Sequence, residues 1–187
     1  MLNYIEDQHY DRQNISSLPA AEYDNCTFTQ CDFSSADLSG YIFNECSFKD
    51  CNLSNVRLDQ TSFRSCDFKN CKILGTHFNN CEPLLLSFTF SNCLLNYSSF
   101  YKLDLKGTHF SDCSLQEVDF SECNLNGANF KECNLIDAVF DRTNLEKADF
   151  RSAFNYRIDP NNNKVKKAKF SVAGLGGLLT TYQIDIE

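Results

Sequence analysis

Tryptophan is absent from the 187-residue sequence, and proline and glycine are scarce, at three and seven residues. No apolar run approaches the roughly 20 residues that span a bilayer, and the acidic first residues do not resemble a signal peptide. Basic residues are also in deficit, with 17 Lys+Arg against 25 Asp+Glu and a formal net charge of -8. These deficits predict a cytoplasmic protein that has no membrane partner and does not bind nucleic acid directly through its phosphates.

Cysteine, in contrast, is abundant, with eleven copies. Secreted, disulfide-rich domains of this cysteine content are usually much shorter and rich in loops. An odd number of cysteines also cannot pair completely within one chain. We therefore expect reduced thiols, as is usual in the cytosol.

Large apolar residues recur at every fifth position. One series runs from Tyr23 to Phe78, and a second series, displaced by two residues, runs from Leu85 to Phe150. A small or modest residue stands two places before most of them, with a polar residue between, as in Ala36-Asp37-Leu38. A helix would spread every fifth residue around its circumference, and a strand would alternate with period two, so the chain must turn once per pentad.

The cysteines give the number of pentads in one coil. All eleven occupy the small position, and they recur every twenty residues, as in Cys26, Cys46 and Cys66. Four pentads therefore make one coil, and consecutive coils are expected to stack at the strand spacing of about 4.8 Å. In the second series Phe and Leu alternate, which predicts Phe on two opposite sides of a four-sided coil and Leu on the other two.

These pentads resemble the pentapeptide repeat family, whose motif is written A(D/N)LXX. Clear matches are Ala36-Asp37-Leu38-Ser39-Gly40, Cys51-Asn52-Leu53-Ser54-Asn55 and Cys123-Asn124-Leu125-Asn126-Gly127, within a similarity that covers about residues 21–155. The resemblance implies an all-β fold, a right-handed quadrilateral β-helix in which the small residue and the central Leu or Phe point inward.

The chain divides into three segments around this repeat. Residues 1–20 break the period and are expected to form an N-terminal cap, although Tyr10 and Ile15 can also start the first coil. Residues 21–156 form the β-helix, and residues 157–187 form a C-terminal cap. Within the β-helix, residues 79–92 shift the register by two. Pro83 lacks a backbone donor, which predicts a bulge or small loop there, either as a tolerated kink or as a protruding contact site.

The C-terminal segment predicts a short helix over about residues 171–182, with Ser171 as its N-cap, after a turn over residues 159–163. Its apolar residues are the candidate cap and dimer contacts: Val172, Leu175, Leu178, Leu179 and Tyr182. We expect them to cover the last coil, because the ends of a solenoid need caps. In pentapeptide repeat proteins that act on topoisomerases, such an element often also forms a two-fold contact, so the resemblance implies a homodimer through the C-terminal cap.

No constellation of side chains predicts catalysis. Cys26 and Cys31 are five residues apart on adjacent sides, whereas tetrahedral zinc sites use closer pairs such as C-x2-C. His77 and His109 are expected on opposite sides of the coil, and a filled rod offers no concave pocket. We therefore expect a protein that is not an enzyme and binds no metal or cofactor, with cysteines that fill the core.

Charge is uneven along the chain, since residues 91–150 carry ten acids against five bases. Asp112 and Glu132 are twenty residues apart and are expected to stack on one side, as are Glu117 and Asp137 on the next. The candidate partner-binding acids are Asp112, Glu117, Glu122, Glu132, Asp137, Asp141 and Glu146.

Two functions fit such a rod. Rows of carboxylates on a rod of about duplex width can occupy a basic channel built for DNA. Resemblance to the quinolone-resistance and toxin-immunity members of the family implies a DNA-mimicking protector or modulator of a bacterial type II topoisomerase, either DNA gyrase or topoisomerase IV. Alternatively, the acids only keep a structural scaffold soluble, and its flat sides or register break bind another cytosolic protein.

Overall fold

The computed structural model describes residues 3–14 and 18–185. The chain winds as a right-handed, four-sided coil in which each side contributes a short strand or a single β-bridge. Every strand pairing is parallel and joins successive coils, as where Phe28 pairs with Phe48. The structure confirms the predicted quadrilateral β-helix with one short C-terminal helix. None of the helices among the described residues is long and apolar enough to span a membrane.

Two sides of the coil carry named strands. The first sheet consists of β1 (Asn3–Glu6), β3 (Ala21–Asp24), β5 (Ile42–Asn44) and β7 (Ser62–Arg64), in that order. The second sheet consists of β2 (His9–Asp11), β4 (Thr27–Thr29), β6 (Ser47–Lys49), β8 (Cys66–Lys69), β9 (Phe88–Ser91), β10 (His109–Ser111) and β11 (Asn129–Lys131), again in chain order. Neighbours in each sheet come from successive coils, so the backbone hydrogen bonds run along the rod.

We number the four walls in the order in which the chain visits them. The first wall carries β1, β3, β5 and β7, and the second wall carries the seven-stranded sheet. The third wall is a column of single parallel bridges from Asn14 to Phe154, and the fourth wall includes the bridged column from His77 to Val139. Beyond the register break, the first wall continues as bridges that join Asp104, Asn124, Asn144 and Lys164.

The interior is filled by stacked aromatic rings. One column behind the second wall has neighbouring centroids 4.7–5.4 Å apart and consists of Tyr10, Phe28, Phe48, Phe68, Phe90, Phe110, Phe130, Phe150 and Phe170. A second column behind the fourth wall contains Phe78, Phe100, Phe120 and Phe140. The columns meet edge to face, with Phe100 and Phe110 6.0 Å apart. The structure therefore confirms that, in the second series, Phe residues occupy two opposite sides of the coil.

The small position of the pentad supplies a hydrogen-bond donor as well as a compact side chain. Cys46 Sγ and Cys51 Sγ donate to the carbonyl oxygens of Tyr23 and Phe28, each at 3.4 Å. Thr143 Oγ1 donates in the same way to the carbonyl oxygen of Phe120 at 2.9 Å. Cysteine and threonine thus both fill the corner and satisfy a buried carbonyl, whereas alanine at the same position fills the corner without a donor.

The last residue of most pentads turns the chain in the left-handed region. The non-glycine residues at such positions have φ between 49° and 64°, for example Asn25 at 49° and Tyr97 at 64°. Asparagine and aspartate tolerate this region better than other non-glycine residues. The recurring turn therefore explains why polar residues and a few glycines end the pentads.

The N-terminal segment forms a coil that includes Tyr10, as the alternative prediction has it, rather than a non-repeating cap over residues 1–20. Strands β1 and β2 pair with β3 and β4, so they already wind as a coil. Tyr10 stacks on Phe28 with centroids 5.1 Å apart, and Ile5 packs against the core. The spacing from Tyr10 to Phe28 is 18 residues rather than 20, which hides this coil from a search at period twenty. Residues 15–17 lie outside the described residues.

At the register break, the inward position expected for Leu85 was wrong. Leu84 and Leu85 are 65% and 68% exposed, and Leu85 has φ +61° at the tip of a turn. A 3-10 turn over Phe78–Asn80 precedes this loop. Phe88 is buried instead: it pairs with Cys66 on the second wall and contacts the rings of Phe78, Phe90 and Phe100. Two extra residues carry the leucines outward, and the next aromatic residue fills the core.

The C-terminal boundary also differs, because coil geometry continues past residue 156. Lys164 and Lys169 form parallel bridges with Asn144 and Asp149, and Phe170 stacks on Phe150 at 5.3 Å. Asn163 occupies the small position: its Nδ2 donates to the Phe140 carbonyl oxygen at 3.0 Å and its Oδ1 accepts from the Thr143 amide at 2.8 Å. The turn over residues 159–163 therefore interrupts the coil without ending it.

The terminal helix is shorter than the 171–182 that the sequence predicts. It comprises α1 (Gly176–Leu179) followed by a 3-10 turn over Thr180–Tyr182. Ser171 does accept a hydrogen bond from the Gly174 amide at 3.1 Å, but it caps a turn rather than the helix itself. Glycines are poor helix formers, and α1 begins on two of them, so this short helix depends on its packing against the rod.

Candidate functional site

Four of the predicted acids form two rows along the corners of the third wall. Asp112 directly follows β10, and Glu132 directly follows β11. The last residues of these strands, Ser111 and Lys131, are paired. The two acids therefore stack in successive coils at the corner of the second and third walls. Glu117 and Asp137 stack at the corner of the third and fourth walls, where the Glu117 amide bonds the Ile136 carbonyl. All four are exposed and have φ of 52–55°. We call them the corner acids.

The other three acids lie elsewhere and do not extend these rows. Glu122 and Asp141 lie on or beside the fourth wall among cations: Lys102 is 3.5 Å and Arg142 3.1 Å from Glu122, and Arg142 is 3.0 Å from Asp141. A hydrogen bond from Asn162 and the Arg142 guanidinium hold the pKa of Asp141 below its usual value. Glu146 lies on the first wall, two residues after the Asn144 bridge.

Ion pairing differs among the corner acids. Arg157 is 3.7 Å from Asp137, but the pair is exposed, with 70% and 52% of the two side chains accessible, so solvent screens it strongly. Among the described residues, no basic nitrogen lies within 4.0 Å of the carboxylate oxygens of Asp112, Glu117 or Glu132. The two rows therefore carry charge that the protein itself leaves largely uncompensated.

Between the two rows, the outward side chains of the third wall are uncharged. This was not predicted from the sequence, because charge was counted along the chain rather than by wall. From coil to coil its outward residues are Leu94, Asn96, Ser114, Gln116, Asn134 and Ile136. We call these six residues the third-wall strip. The signal for it was present in the sequence, because apolar residues such as Leu94 and Ile136 stand at outward positions of their pentads.

The second wall has the opposite character. Lys49, Lys69, Lys131 and Arg151 occupy the same outward position in their coils, next to the paired residues of the seven-stranded sheet. Arg151 contacts Asp149 at 2.7 Å and lowers the pKa of that carboxyl. The second wall therefore combines this row of bases with acids such as Asp67 and Asp149, and the net charge alone does not describe any one surface.

The cysteines and histidines lie where the sequence predicts them. All eleven cysteines are buried and free, and desolvation raises the pKa of Cys46 to about 12, which keeps its thiol protonated at neutral pH. His77 bridges to Ser99 on the fourth wall, whereas His109 pairs with Asn129 on the opposite second wall. Within residues 3–14 and 18–185, no three His, Cys, Asp or Glu side chains are grouped to hold a metal ion.

The C-terminal end divides the five predicted cap contacts into two groups. Val172, Leu175 and Tyr182 are exposed, whereas Leu178 and Leu179 are half-buried and Leu178 packs against the core. The helix sits close to the rod, because a Cβ at Gly177 would lie 2.3 Å from the Tyr156 carbonyl oxygen. Leu178 therefore helps to close the last coil, and the first three side chains face outward.

Comparisons with known proteins agree with this architecture. A family profile described as pentapeptide repeat region matches residues 21–100, 43–120 and 85–170. A trypsin-treated form of QnrB1, a plasmid-mediated fluoroquinolone resistance protein, superposes with a TM-score of 0.54 and 18% identity over all of both chains. Full-length QnrB1 gives a TM-score of 0.53 and 19% identity over 97% of this chain and 100% of that chain. At these identities the likeness shows the fold alone. No curated protein sequence matches the chain.

Proposed function

The chain belongs to the pentapeptide repeat family, and from that premise we propose that it acts by surface binding, as a DNA-mimicking protector or modulator of a bacterial type II topoisomerase such as DNA gyrase. No bond is made or broken in this function. The rod occupies the positively charged DNA-binding surface of the enzyme in place of the duplex, and shape and charge supply the affinity. Such an activity in the cytoplasm would protect gyrase from quinolones or from a toxin.

One arrangement carries this proposal: the two rows of corner acids with an uncharged wall between them. Asp112 and Glu132 run along one edge of the third wall, and Glu117 and Asp137 run along the other. Duplex DNA likewise presents two lines of negative charge on either side of a groove. A basic surface shaped for two phosphate lines therefore finds charge at both edges of this wall.

Two further observations support this proposal, the first concerning the target and the second concerning action through the surface. The fold is shared with QnrB1, which is a fluoroquinolone resistance protein. The buried thiols and the filled core leave the exterior as the part of the described chain that is available to a partner. An action through surface contacts is therefore the activity for which this molecule is best equipped.

The experiment is a titration of the protein into gyrase supercoiling and quinolone-stabilised cleavage assays. We expect the protein to change both, and expect the variant Asp112→Asn/Glu117→Gln/Glu132→Gln/Asp137→Asn to lose the effect. These substitutions are isosteric and suit the left-handed backbone, so the fold should be retained. A control variant, Glu22→Gln/Glu45→Gln, removes acids from the N-terminal half and should act like the parent. No effect of the parent protein at micromolar concentration would reject the proposal.

A second candidate function is a scaffold that binds another protein through the register-break loop. The observation in its favour is the pair Leu84 and Leu85, each about two-thirds exposed at the tip of a turn. Binding through such a loop should be nearly insensitive to salt, whereas binding through the corner acids should weaken steeply as salt rises. A salt titration of the purified complex, with Leu84→Ser/Leu85→Asn as the variant, separates the two functions.

The proposed assembly is a homodimer through the C-terminal end. Val172, Leu175 and Tyr182 form an outward apolar surface on the cap. A two-fold contact there would cover this surface and double the length of the rod. Light scattering after size exclusion should report a dimer for the parent protein and a monomer for Val172→Glu, and a monomeric parent would reject this assembly.

A further inference from the structure

Exposed apolar side chains are concentrated on one side of the rod. Among the described residues, the large exposed apolar residues on the walls between the register break and the C-terminal cap are Leu94, Tyr97, Ile136, Val139 and Phe154, with 37–53% of each accessible. Leu94 and Phe154 lie in the bridged column of the third wall, and Ile136 lies two residues after Asn134 of the same column. Tyr97 and Val139 flank the corner with the fourth wall. Single exposed apolar residues need no explanation, but these five lie on the third wall and around its corner with the fourth wall, and such a grouping marks an interaction surface.

The charges around this cluster indicate which kind of partner surface would be complementary to it. The third-wall strip itself contains no charged residue from Leu94 to Ile136. The corner acids line both of its edges, and three of them have no ion-pair partner among the described residues. A complementary surface must therefore be uncharged along its middle, with apolar side chains opposite Leu94 and Ile136, and positively charged along both sides.

The hydrogen bonding of the wall's backbone indicates which secondary structure a bound partner segment would have. Its amide and carbonyl groups are bonded between coils, as from the Leu95 amide to the Ser114 carbonyl and from the Leu115 amide to the Asn134 carbonyl, both at 2.8 Å. Between Leu94 and Phe154 no strand edge faces outward on this wall, so an extended peptide could not add to a sheet there and would leave its own backbone unpaired. A helix satisfies its backbone internally and needs only a side-chain surface.

The length of the surface also suits a helix. Leu94 and Phe154 are separated by three coil steps through Ser114 and Asn134. At about 4.8 Å per step this distance is about 14 Å, which matches between two and three turns of an α-helix at 5.4 Å per turn. Two or three apolar side chains on one helix face could therefore contact Leu94, Ile136 and Phe154 together.

We propose that the third-wall strip is a docking site for an amphipathic α-helix of a partner protein, with an apolar stripe bordered on both sides by Lys or Arg. This inference goes beyond the proposed function, since it does not require the partner to be a topoisomerase. The apolar stripe contacts Leu94, Ile136 and Phe154, and the flanking cations reach the corner acids. The helix lies along the rod and makes no main-chain bonds to it.

The test uses a synthetic peptide of about 18 residues, long enough to form a helix, with Leu at helical spacing, Lys on both flanks and one benzophenone group in the apolar stripe. The control peptide has the same composition in an order that removes the stripe. We expect the first peptide to bind the full protein about tenfold or more tightly than the control, as measured by fluorescence anisotropy. We expect its photocross-links to fall on the third wall.

Matched variants separate this wall from other apolar surfaces. Leu94→Ser/Phe154→Ser should weaken binding about tenfold, whereas Leu84→Ser/Leu85→Asn, which removes the same number of exposed apolar residues from the loop, should leave it within about twofold. Asp112→Asn/Glu132→Gln should weaken binding in dilute buffer and much less in about 0.5 M salt. Circular dichroism of each variant verifies the fold, and the cross-links to the parent protein do not depend on any variant.

Several results would overturn the proposal. They are equal affinity for the two peptides, cross-links on the basic second wall, the loop or the C-terminal end, or unchanged binding by Leu94→Ser/Phe154→Ser. A parent dimer that this variant dissociates, as seen by analytical ultracentrifugation, would assign the wall to a second copy of the chain and equally reject a partner helix. Specific peptide binding by a protein that has no effect on gyrase would support this inference while rejecting the topoisomerase proposal.

Discussion

Phe130 stacks on Phe150 with ring centroids 4.7 Å apart and an interplanar angle of 11°. The two residues are twenty positions apart, and both side chains are fully buried. Successive coils are separated by about the same distance, 4.8 Å, because hydrogen-bonded strands have that spacing. Rings at one position of each coil can therefore stack without distorting the backbone, and the aromatic column and the hydrogen bonds stabilise the same repeat.

The column predicts a large cost for removing one of its rings. Phe130→Ala should lower the free energy of unfolding by about 3–5 kcal/mol, because it leaves a cavity between Phe110 and Phe150 that rigid coils cannot close. Phe154→Ala removes the same ring from an exposed position and should change stability by less than about 0.5 kcal/mol. Urea denaturation measures both values. Similar losses for the two variants would contradict the stacked core.

The C-terminal cap depends on close approach at Gly177. A Cβ there would lie 2.3 Å from the Tyr156 carbonyl oxygen, a backbone atom that cannot turn away. Gly177→Ala should therefore displace α1 from the last coil, although alanine is the better helix former. We expect faster amide hydrogen exchange at Ile158, whose amide bonds the Gly177 carbonyl at 2.9 Å.

The exposed Leu175→Ala is the matched control for that experiment, because it shortens a side chain of the same cap without adding an atom at the contact. Protection at Ile158 should stay at the parent level in this variant. Unchanged exchange in Gly177→Ala would mean that the cap does not sit as closely on Tyr156 as the structure indicates.

Acid should weaken the N-terminal coil. The Asp24 carboxylate accepts hydrogen bonds from Tyr4 Oη and Asn44 Nδ2, each at 2.6 Å, and these lower its pKa from the ordinary 3.8. A folded-state pKa below the unfolded value gives stability that is fully present above the unfolded pKa and is lost as pH falls through the folded one. Asp24→Asn should therefore flatten the decline in the urea midpoint between about pH 5 and pH 2. Equal slopes for parent and variant would contradict this role.

The thiols should react only when the chain unfolds. All eleven cysteines are buried, and burial raises the pKa of several of them, including Cys46 and Cys123. Because the thiolate is the reactive form, labelling by a thiol reagent should follow the unfolding rate and accelerate in urea. Ser34→Cys adds one thiol at an exposed position outside the proposed contact surfaces and should gain one rapidly labelled equivalent. Rapid labelling of the parent protein would indicate an accessible, redox-active cysteine.

The period of five and the cysteine period of twenty were sufficient to predict the coil, its four sides and its inward residues. Prediction was wrong where the count of residues changes. Leu85 continues the arithmetic series, yet two inserted residues place it at the tip of a loop and Phe88 fills the core instead. Which of two nearby apolar residues turns inward depends on packing against the coils above and below, and a local pattern does not contain that information.

The corner acids were predictable for the same reason, because residues twenty apart stack in one column. The ion pairing of Glu122 was not predicted, although Lys102, Glu122 and Arg142 are also spaced by twenty and meet at 3.1–3.5 Å. Counting charge along the chain hides such pairs, whereas counting it by column reveals them. The third-wall strip was missed likewise, since it consists of neutral residues scattered over more than forty positions of the sequence.

The most direct test of the corner acids is competition between this protein and a fluorescent DNA duplex for DNA gyrase, measured by anisotropy over a range of salt concentrations. We expect the protein to displace the duplex with an apparent affinity that falls as salt rises, and expect Asp112→Asn/Glu117→Gln/Glu132→Gln/Asp137→Asn to displace it far less. Displacement that is equal for the two proteins, or no displacement at any salt concentration, would contradict a role for these carboxylates in place of phosphates.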